Sequence, residues 1–512
     1  MRIVRNKALL VGEVRNSDQI TEIIPKSKVL PDEKLLVNWG IDEVHVLNNL
    51  GVKAPSPIES RYEWTGKLKP FEHQKATASF LTLHRRAFCF NEQGTGKTAS
   101  AIWASDYLMK QGKVNRVLVI CPLSIMDSAW RADLFTFAMH RTVDVAYGDS
   151  KRRKKIINQG ADYVIINYDG VEIVADEIAN GGFDLIIADE ATHYKNAQTK
   201  RWKVLNKLLT TNMWIWMMTG TPAAQSPLDA YGLAKIINPN AVPKFFGAFR
   251  DKVMVKITQF KWVPKEESVN VVFDALQPAI RFTKEECLDL PDMVYVKRQI
   301  EMTRQQKKYY NLLKDKMTMQ AAGEQITAPN AAVNMNKLLQ ISCGAVYTDD
   351  GEALEFDIKH RYKVLKEVID ESSKKVLVFV PFRHVIDILV DKLAVDGIDA
   401  EIIRGDVSAP KRTEIFKRFQ TMPDPKVLVI QPQSAAHGVT LTAANTVVWW
   451  GPTSSLETYA QANARVHRSG QDQKCTVVQL QSSAVEKRIY SLLDNRINIH
   501  TRIIDLYKDL LD

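Results

Sequence analysis

Asn91-Glu92-Gln93-Gly94-Thr95-Gly96-Lys97-Thr98 follows the apolar run Ala87-Phe88-Cys89-Phe90 and precedes Ala99-Ser100-Ala101-Ile102-Trp103-Ala104. The run before it reads as a buried strand, and the stretch after it as the opening of a helix. Glycines let the backbone turn tightly and aim its N–H groups inward, while the helix N-terminus adds partial positive charge. Such a turn holds phosphates. Lys97 is then placed to reach the β/γ-phosphates, and the Thr98 hydroxyl to ligate Mg²⁺. A tight surface turn could carry Gly-x-Gly-Lys-Thr by accident, but the strand before it and the helix after it argue for a nucleotide loop.

Outward from this loop, apolar strands alternate with amphipathic helices, the pattern of parallel α/β sheets. Candidate strands are Arg116–Cys121, Tyr163–Asn167, Phe183–Ala188 and Met213–Met218. A second series is Lys375–Phe382, Asp399–Arg404, Lys426–Gln431, Thr446–Trp450 and Thr476–Gln481. The expected fold class is α/β, with two tandem lobes, helical insertions and a small N-terminal accessory domain. Expected boundaries are 1–62 for the accessory domain, 63–290 for the first lobe and 291–512 for the second, with a helical insertion at about 300–345 and helices at the C-terminal end. Within the first 62 residues, Lys7–Val14 and Gln19–Ile24 read as short strands and Glu33–Leu50 as mainly helical. No chemistry attaches to this unit, and buttressing of the first lobe is its expected role. Arg304–Met319 and Ala331–Cys343 have helical spacing.

Composition bounds the rest. The 512 residues are 45% hydrophobic and 25% charged, ordinary values for globular domains. No run of eighteen or more apolar residues occurs and no charged-then-apolar leader opens the chain, so no membrane span or export is expected. Cys89, Cys121, Cys287, Cys343 and Cys475 are far apart, with neither zinc spacing nor a disulfide framework. A cytoplasmic setting fits. The net charge of +10 favours a polyanionic partner without specifying one.

A second piece of chemistry follows about ninety residues after the loop, where Leu185-Ile186-Ile187-Ala188 delivers Asp189-Glu190 at its carboxyl end. Phosphoanhydride hydrolysis needs one carboxylate to hold Mg²⁺ and another group to orient water. Asp189 is assigned to the metal and Glu190 to the water. An Asp-Glu pair alone is usually a solvated pair; at the end of a buried strand it reads as catalytic.

These motifs and their order resemble those of superfamily-2 nucleic-acid translocases, most closely the Swi/Snf-type branch. The resemblance runs from about Leu68 to Ile497. Leu68-Lys69-Pro70-Phe71-Glu72-His73-Gln74 is similar to the element whose glutamine reads adenine. Ile120-Cys121-Pro122-Leu123-Ser124 with Trp130, and Ile166-Asn167-Tyr168, resemble strand-gripping motifs. Asp189-Glu190-Ala191-Thr192-His193-Tyr194-Lys195-Asn196 matches the acidic box, with Thr192 where the branch usually has histidine. Thr219-Gly220-Thr221-Pro222 matches the motif coupling nucleotide to DNA. Gly438-Val439-Thr440-Leu441-Thr442-Ala443-Ala444 and Gln461-Ala462-Asn463-Ala464-Arg465-Val466-His467-Arg468-Ser469-Gly470-Gln471 complete the series.

The resemblance implies two RecA-like lobes and a DNA-dependent ATPase using ATP and Mg²⁺. Gln74, Gln93, Gly94, Thr95, Gly96, Lys97, Thr98 and Gln461 are implied to hold the nucleotide. Pro122, Ser124, Asn167, Tyr168, Thr219, Gly438 and Thr442 are implied to grip nucleic acid, expected to be duplex DNA contacted without sequence preference by a monomer. Arg465 and Arg468 stand three apart, so on a helix both would point one way. Planar guanidinium groups suit the spread charge of a γ-phosphoryl in flight, as arginine fingers from the opposite lobe. Movement along duplex DNA is the expected output, with strand separation or annealing as the alternative and a silent DNA-binding scaffold as a rival of another class. Lys151-Arg152-Arg153-Lys154-Lys155 reads as a solvated helix start, and Trp449-Trp450 and Tyr309-Tyr310 as packing residues.

Overall fold

In a computed structural model, the described residues run from 1 to 494, apart from 14–16, 33, 224–225, 259–261, 288–289, 324–327, 348–351, 435–438 and 469. They divide into one compact unit of Met1–Thr283 and a second that begins at Lys284.

The first unit is built on a seven-stranded sheet, every neighbouring pair of which is parallel. Its spatial order is Ala279–Ile280, Arg86–Cys89, Trp214–Met218, Leu185–Asp189, Val117–Cys121, Tyr163–Asn167 and Val143–Ala146. The central strands are buried on both faces, which is why they read as continuous apolar runs and not as alternation.

Arg2–Val4, Ala8–Glu13, Ser27–Val29 and Lys34–Asn38 form a four-stranded antiparallel sheet whose core is continuous with that of the larger sheet's helices. Trp39 donates to Pro55 O at 2.8 Å, Ser56 and Thr82 share a buried hydroxyl bond at 2.7 Å, and Tyr62 donates to Asp106 at 2.7 Å. Two expectations here are corrected. All of Gln19–Ile24 but its last residue lies in the helix Ser17–Ile23, and the front of Glu33–Leu50 is the strand Lys34–Asn38, with a helix only over Ile41–Asn49. Leu35 and Val37 are fully buried while Lys34 is exposed, a period of two that tertiary pairing selected over helical propensity.

The second unit carries a six-stranded parallel sheet in the order Met293–Gln299, Cys475–Gln481, Ala444–Trp449, Lys375–Phe379, Val427–Ile430 and Ala400–Ile403. The stretch between the two series of candidate strands contributes an edge strand to each sheet, Ala279–Ile280 and Met293–Gln299. A two-residue strand is too short to leave a pattern, and the exposed side chains of Lys297, Arg298 and Gln299 at a sheet edge blur the other. The helices Arg304–Gly323 and Ala328–Cys343 follow, as their spacing predicts. Trp449 and Trp450 are fully buried: Trp449 stacks on Phe379 at 4.7 Å, and Trp450 donates to Cys343 O at 2.8 Å. Tyr310 is buried too. Beneath them Arg361 and Glu486 make an ion pair at 2.7 Å, 4% and 0% exposed. Glu486 also accepts from the Ser482 and Ser483 amides. No helix among the described residues is long and apolar enough to cross a membrane.

Candidate nucleotide site and the arginine turn

Sheet register assembles the first site. Met218 pairs with Cys89 on one side and with Asp189 on the other. The exits of the phosphate-loop strand, the Thr219-Gly220-Thr221 strand and the acidic strand are therefore adjacent, within about two strand spacings of ~4.8 Å. Ligands of open parallel sheets gather at this carboxyl edge.

In the loop, Gly94 and Gly96 take φ of +89° and +82°, left-handed values that glycine adopts without strain. Gly96 is also pressed against Gln74: a Cβ there would lie 2.0 Å from Gln74 Nε2. Gln74 accepts from the Phe71 amide at 3.0 Å and donates to Thr95 O at 3.2 Å, and His73 Nε2 donates to Thr95 O at 2.8 Å. Both side chains thus hold the loop from the helix Glu72–Leu83. Lys97 opens the helix Lys97–Lys110, and its Nζ donates to Asn91 O at 2.8 Å and Glu92 O at 3.2 Å. Thr98 is next on that helix and Gln93 packs by Gly220.

Asp189 is 8% exposed, and Trp130 Nε1 donates to its Oδ2 at 2.9 Å. Burial raises its carboxyl above the ordinary range, opposed by the charge of Lys97 and the Trp130 bond. Glu190 has φ of +55°, a conformation worth roughly 1–3 kcal/mol of strain in a non-glycine residue. The Tyr168 hydroxyl donates to Asp189 O and Glu190 O, fastening the turn that takes this shape. Trp130 and Tyr168, read from the sequence as strand-gripping residues, are buried beneath the acidic pair and hold it. Only the fold brings them there.

The other residues expected at nucleic acid are also engaged inside the protein. Pro122, Asn167 and Thr219 are buried. Asn167 Oδ1 accepts from Arg153 at 2.8 Å, and Thr219 Oγ1 accepts from the Thr221 amide at 3.1 Å. Gly170 is required beside that arginine, since a Cβ would lie 2.2 Å from Arg153 Nη1. Arg153 is itself 6% exposed, so the basic run 151–155 is not wholly a solvated helix start. Ser124 sits in the 3-10 turn Leu123–Ile125 with its side chain outside the described residues, and Gly438 lies outside them altogether. His193 is exposed, its ring edge-on to Tyr168 at 4.4 Å, while Thr192 is buried.

In the second unit, the helix Leu456–Asn463 ends before the arginines, which stand on the turn that follows. The expectation of a shared helix face is corrected, yet the two converge: Arg465 Nη1 and Arg468 Nη1 each donate to Val439 O at 3.4 Å. Gln471, 5% exposed, staples this turn by donating to Ala444 O at 2.8 Å and Val466 O at 3.0 Å. Thr442 Oγ1 accepts from Gln420 at 2.9 Å, and Gln461 is buried on the helix, donating to Glu457 at 3.3 Å.

The SNF2-related domain model matches residues 73–345, and the helicase conserved C-terminal domain model matches residues 360–470. The chain belongs to the SNF2-related family. This bears out the resemblance drawn from the motif order. An uncharacterized ATP-dependent helicase of Mycoplasma genitalium is 25% identical over 414 residues, covering 78% of this chain and 38% of the relative. Chromodomain-helicase-DNA-binding protein 1-like of Mus musculus is 24% identical over 488 residues, covering 88% of this chain and 52% of the relative. The chain thus spans about half or less of these relatives. A solved Sulfolobus solfataricus SWI2/SNF2 ATPase core in complex with double-stranded DNA is 24% identical, with 86% of this chain and 94% of that one covered and a TM-score of 0.42.

Two supports of the site were not legible beforehand. Trp130 gave no sign of serving Asp189, and Arg281, 4% exposed, gave no sign of reaching the phosphate loop. Both depend on pairings between residues far apart in the chain.

Proposed function

We propose that this chain is a DNA-dependent ATPase that moves along double-stranded DNA. The observation that carries the reading is the register pairing Met218 with both Cys89 and Asp189, which sets Lys97, Asp189-Glu190 and Thr219-Gly220-Thr221 at one sheet edge. Left-handed Gly94 and Gly96, the second against Gln74, leave a backbone cradle suited to phosphate, and a buried carboxylate beside a lysine suits a metal–phosphate group. Gln74, Gln93, Gly94, Thr95, Gly96, Lys97, Thr98 and Gln461 are the residues proposed to hold ATP. Thr98 and Asp189 would hold Mg²⁺, which when bound neutralises charge on the β- and γ-phosphates. Glu190 orients the attacking water, and Arg465 and Arg468 supply the guanidinium charge that the transferred phosphoryl calls for.

The buried state of Asn167, Tyr168, Thr219 and Thr442 moves their part in DNA binding from direct grip to support of the strand ends from which backbone amides and exposed side chains would contact phosphates. Such contacts carry little sequence information and weaken steeply with salt. The protein is proposed to act as a monomer on duplex DNA. Remodelling of protein–DNA complexes or of branched DNA is the proposed output. Hydrolysis rates without nucleic acid and with single strands, duplex, forks and RNA test this, together with triplex displacement. Duplex is expected to stimulate most and the triplex strand to be displaced. Unwinding of a fork without triplex displacement would favour strand separation instead, and no hydrolysis under any condition would leave a DNA-binding scaffold.

A further inference from the structure

The last residues of the first unit run beside the phosphate loop throughout its approach. Phe88, Phe90 and Glu92 donate their amides to Pro278 O, Ile280 O and Phe282 O at 2.9, 2.8 and 2.9 Å. Phe282 N donates back to Asn91 Oδ1 at 3.0 Å. Between these rungs Arg281 reaches three structures at once. Its Nη1 donates to Phe90 O at 2.6 Å and to Gly220 O at 3.4 Å, and its Nη2 meets Glu92 Oε1 at 3.2 Å. One planar guanidinium therefore ties the strand exit, the phosphate loop and the Thr219–Thr221 turn together. Desolvating that charge is unfavourable, and an apolar side chain would fill the space with no such penalty. What an apolar residue cannot do is fix the directions of two carbonyls and a carboxylate.

The chain then enters the second unit, and the same stretch takes hold of the arginine turn. Lys284, 8% exposed, donates from Nζ to His467 O at 3.0 Å. His467 Nε2 in turn donates to Pro291 O at 2.8 Å. His467 lies between Arg465 and Arg468, so the backbone that aims both guanidinium groups is anchored on Lys284 and Pro291.

We propose that residues 278–287 are a positioning strap, with Arg281 setting the phosphate loop and Lys284 setting the Arg465–Arg468 turn. Three residues apart in sequence, they bring the geometry of both catalytic clusters under one continuous stretch of backbone. The assignment of those clusters rests on the ATPase reading above. Neither Arg281 nor Lys284 contacts substrate in this scheme; each acts through the groups it holds.

The test uses the full chain. Affinity for Mg²⁺ with a non-hydrolysed ATP analogue is measured by calorimetry, turnover with duplex DNA separately, and folding by thermal melt. Arg281→Lys keeps the charge but loses the fork, and is expected to weaken nucleotide binding about tenfold, the worth of one charged hydrogen bond. Glu92→Gln alters a partly exposed partner without touching the core, and is expected to weaken binding in the same sense by less. Lys284→Met is expected to leave nucleotide affinity at the wild-type value while lowering kcat about tenfold, with Lys284→Arg restoring most of it. Wild-type affinity in both Arg281→Lys and Glu92→Gln would overturn the strap. A loss of affinity in Lys284→Met equal to that in Arg281→Lys would overturn the division of labour. The binding arm decides even if the wild-type chain hydrolyses nothing, an outcome that would instead defeat the ATPase reading.

Discussion

The carboxyl edge of the first sheet and the arginine turn of the second unit place charged groups by different means. At the sheet edge, three neighbouring strands end in register, so Asp189, Thr219 and the entry to the phosphate loop are brought close by backbone pairing before any side chain takes part. In the arginine turn, no strand end delivers Arg465 or Arg468. They converge because both donate to Val439 O, while Gln471 staples the turn and Lys284 holds His467 O. Loss of a supporting side chain should leave Asp189 delivered by its strand, whereas the phosphate loop beyond Cys89 and the arginine turn, both held by side-chain-to-backbone bonds, should lose geometry with it.

The largest expected effects break each half at its chemical groups. Arg468→Ala is expected to bind ATP normally but lose turnover by about 10³-fold or more, the range known for arginine fingers, as read by steady-state hydrolysis beside nucleotide titration. Glu190→Gln is expected to slow hydrolysis by roughly 10²–10⁴-fold with the fold intact. Hydrolysis at the wild-type rate would remove Glu190 from the water-orienting role.

Next in size is a stability effect that separates the units. Glu486→Ala leaves Arg361 buried without its carboxylate, which should destabilise the second unit by about 3–5 kcal/mol in chemical denaturation. A single unfolding transition displaced as a whole would mean that the two units unfold together.

Tyr168→Phe sharpens the comparison further. Removing the hydroxyl that fastens Asp189 O and Glu190 O should lower stability by about 1–3 kcal/mol. Because strand register still delivers Asp189, turnover is expected to fall less than in Glu190→Gln. An equal fall would show that the hydroxyl, and not the sheet, sets the acid's position.

The smallest effect is electrostatic. Burial raises the Asp189 carboxyl, so in the folded nucleotide-free protein it binds its proton more tightly than in the unfolded chain. Stability contributed by this group is therefore lost as pH rises from the ordinary aspartate value of about 3.9 through the raised folded value. Asp189→Asn should melt higher than the wild type at neutral pH, with the difference shrinking as pH falls and reaching its minimum below pH ~4, where the wild-type carboxyl becomes protonated in both states. A difference that stays constant with pH would show that the gain is not electrostatic.

Much of this was legible in the chain itself. Strands buried on both faces announce themselves as apolar runs, and Gly94, Gly96, Lys97, Thr98, Asp189 and Glu190 follow their strands at short range, so local chemistry named them. The N-terminal sheet was less legible, because Lys34–Asn38 and Ser17–Ile23 are short segments whose form was chosen by what they pack against. Trp130, Tyr168, Arg281 and Glu486 illustrate what sequence could not supply. Each does its work on a partner between 21 and 191 positions away, and nothing in its immediate neighbours states that partner. Sequence by itself determined which groups could handle a triphosphate, since residue type and local spacing carry that chemistry. Tertiary structure alone decided which side chains hold those groups in place, because burial and hydrogen-bond partners are properties of the packed chain.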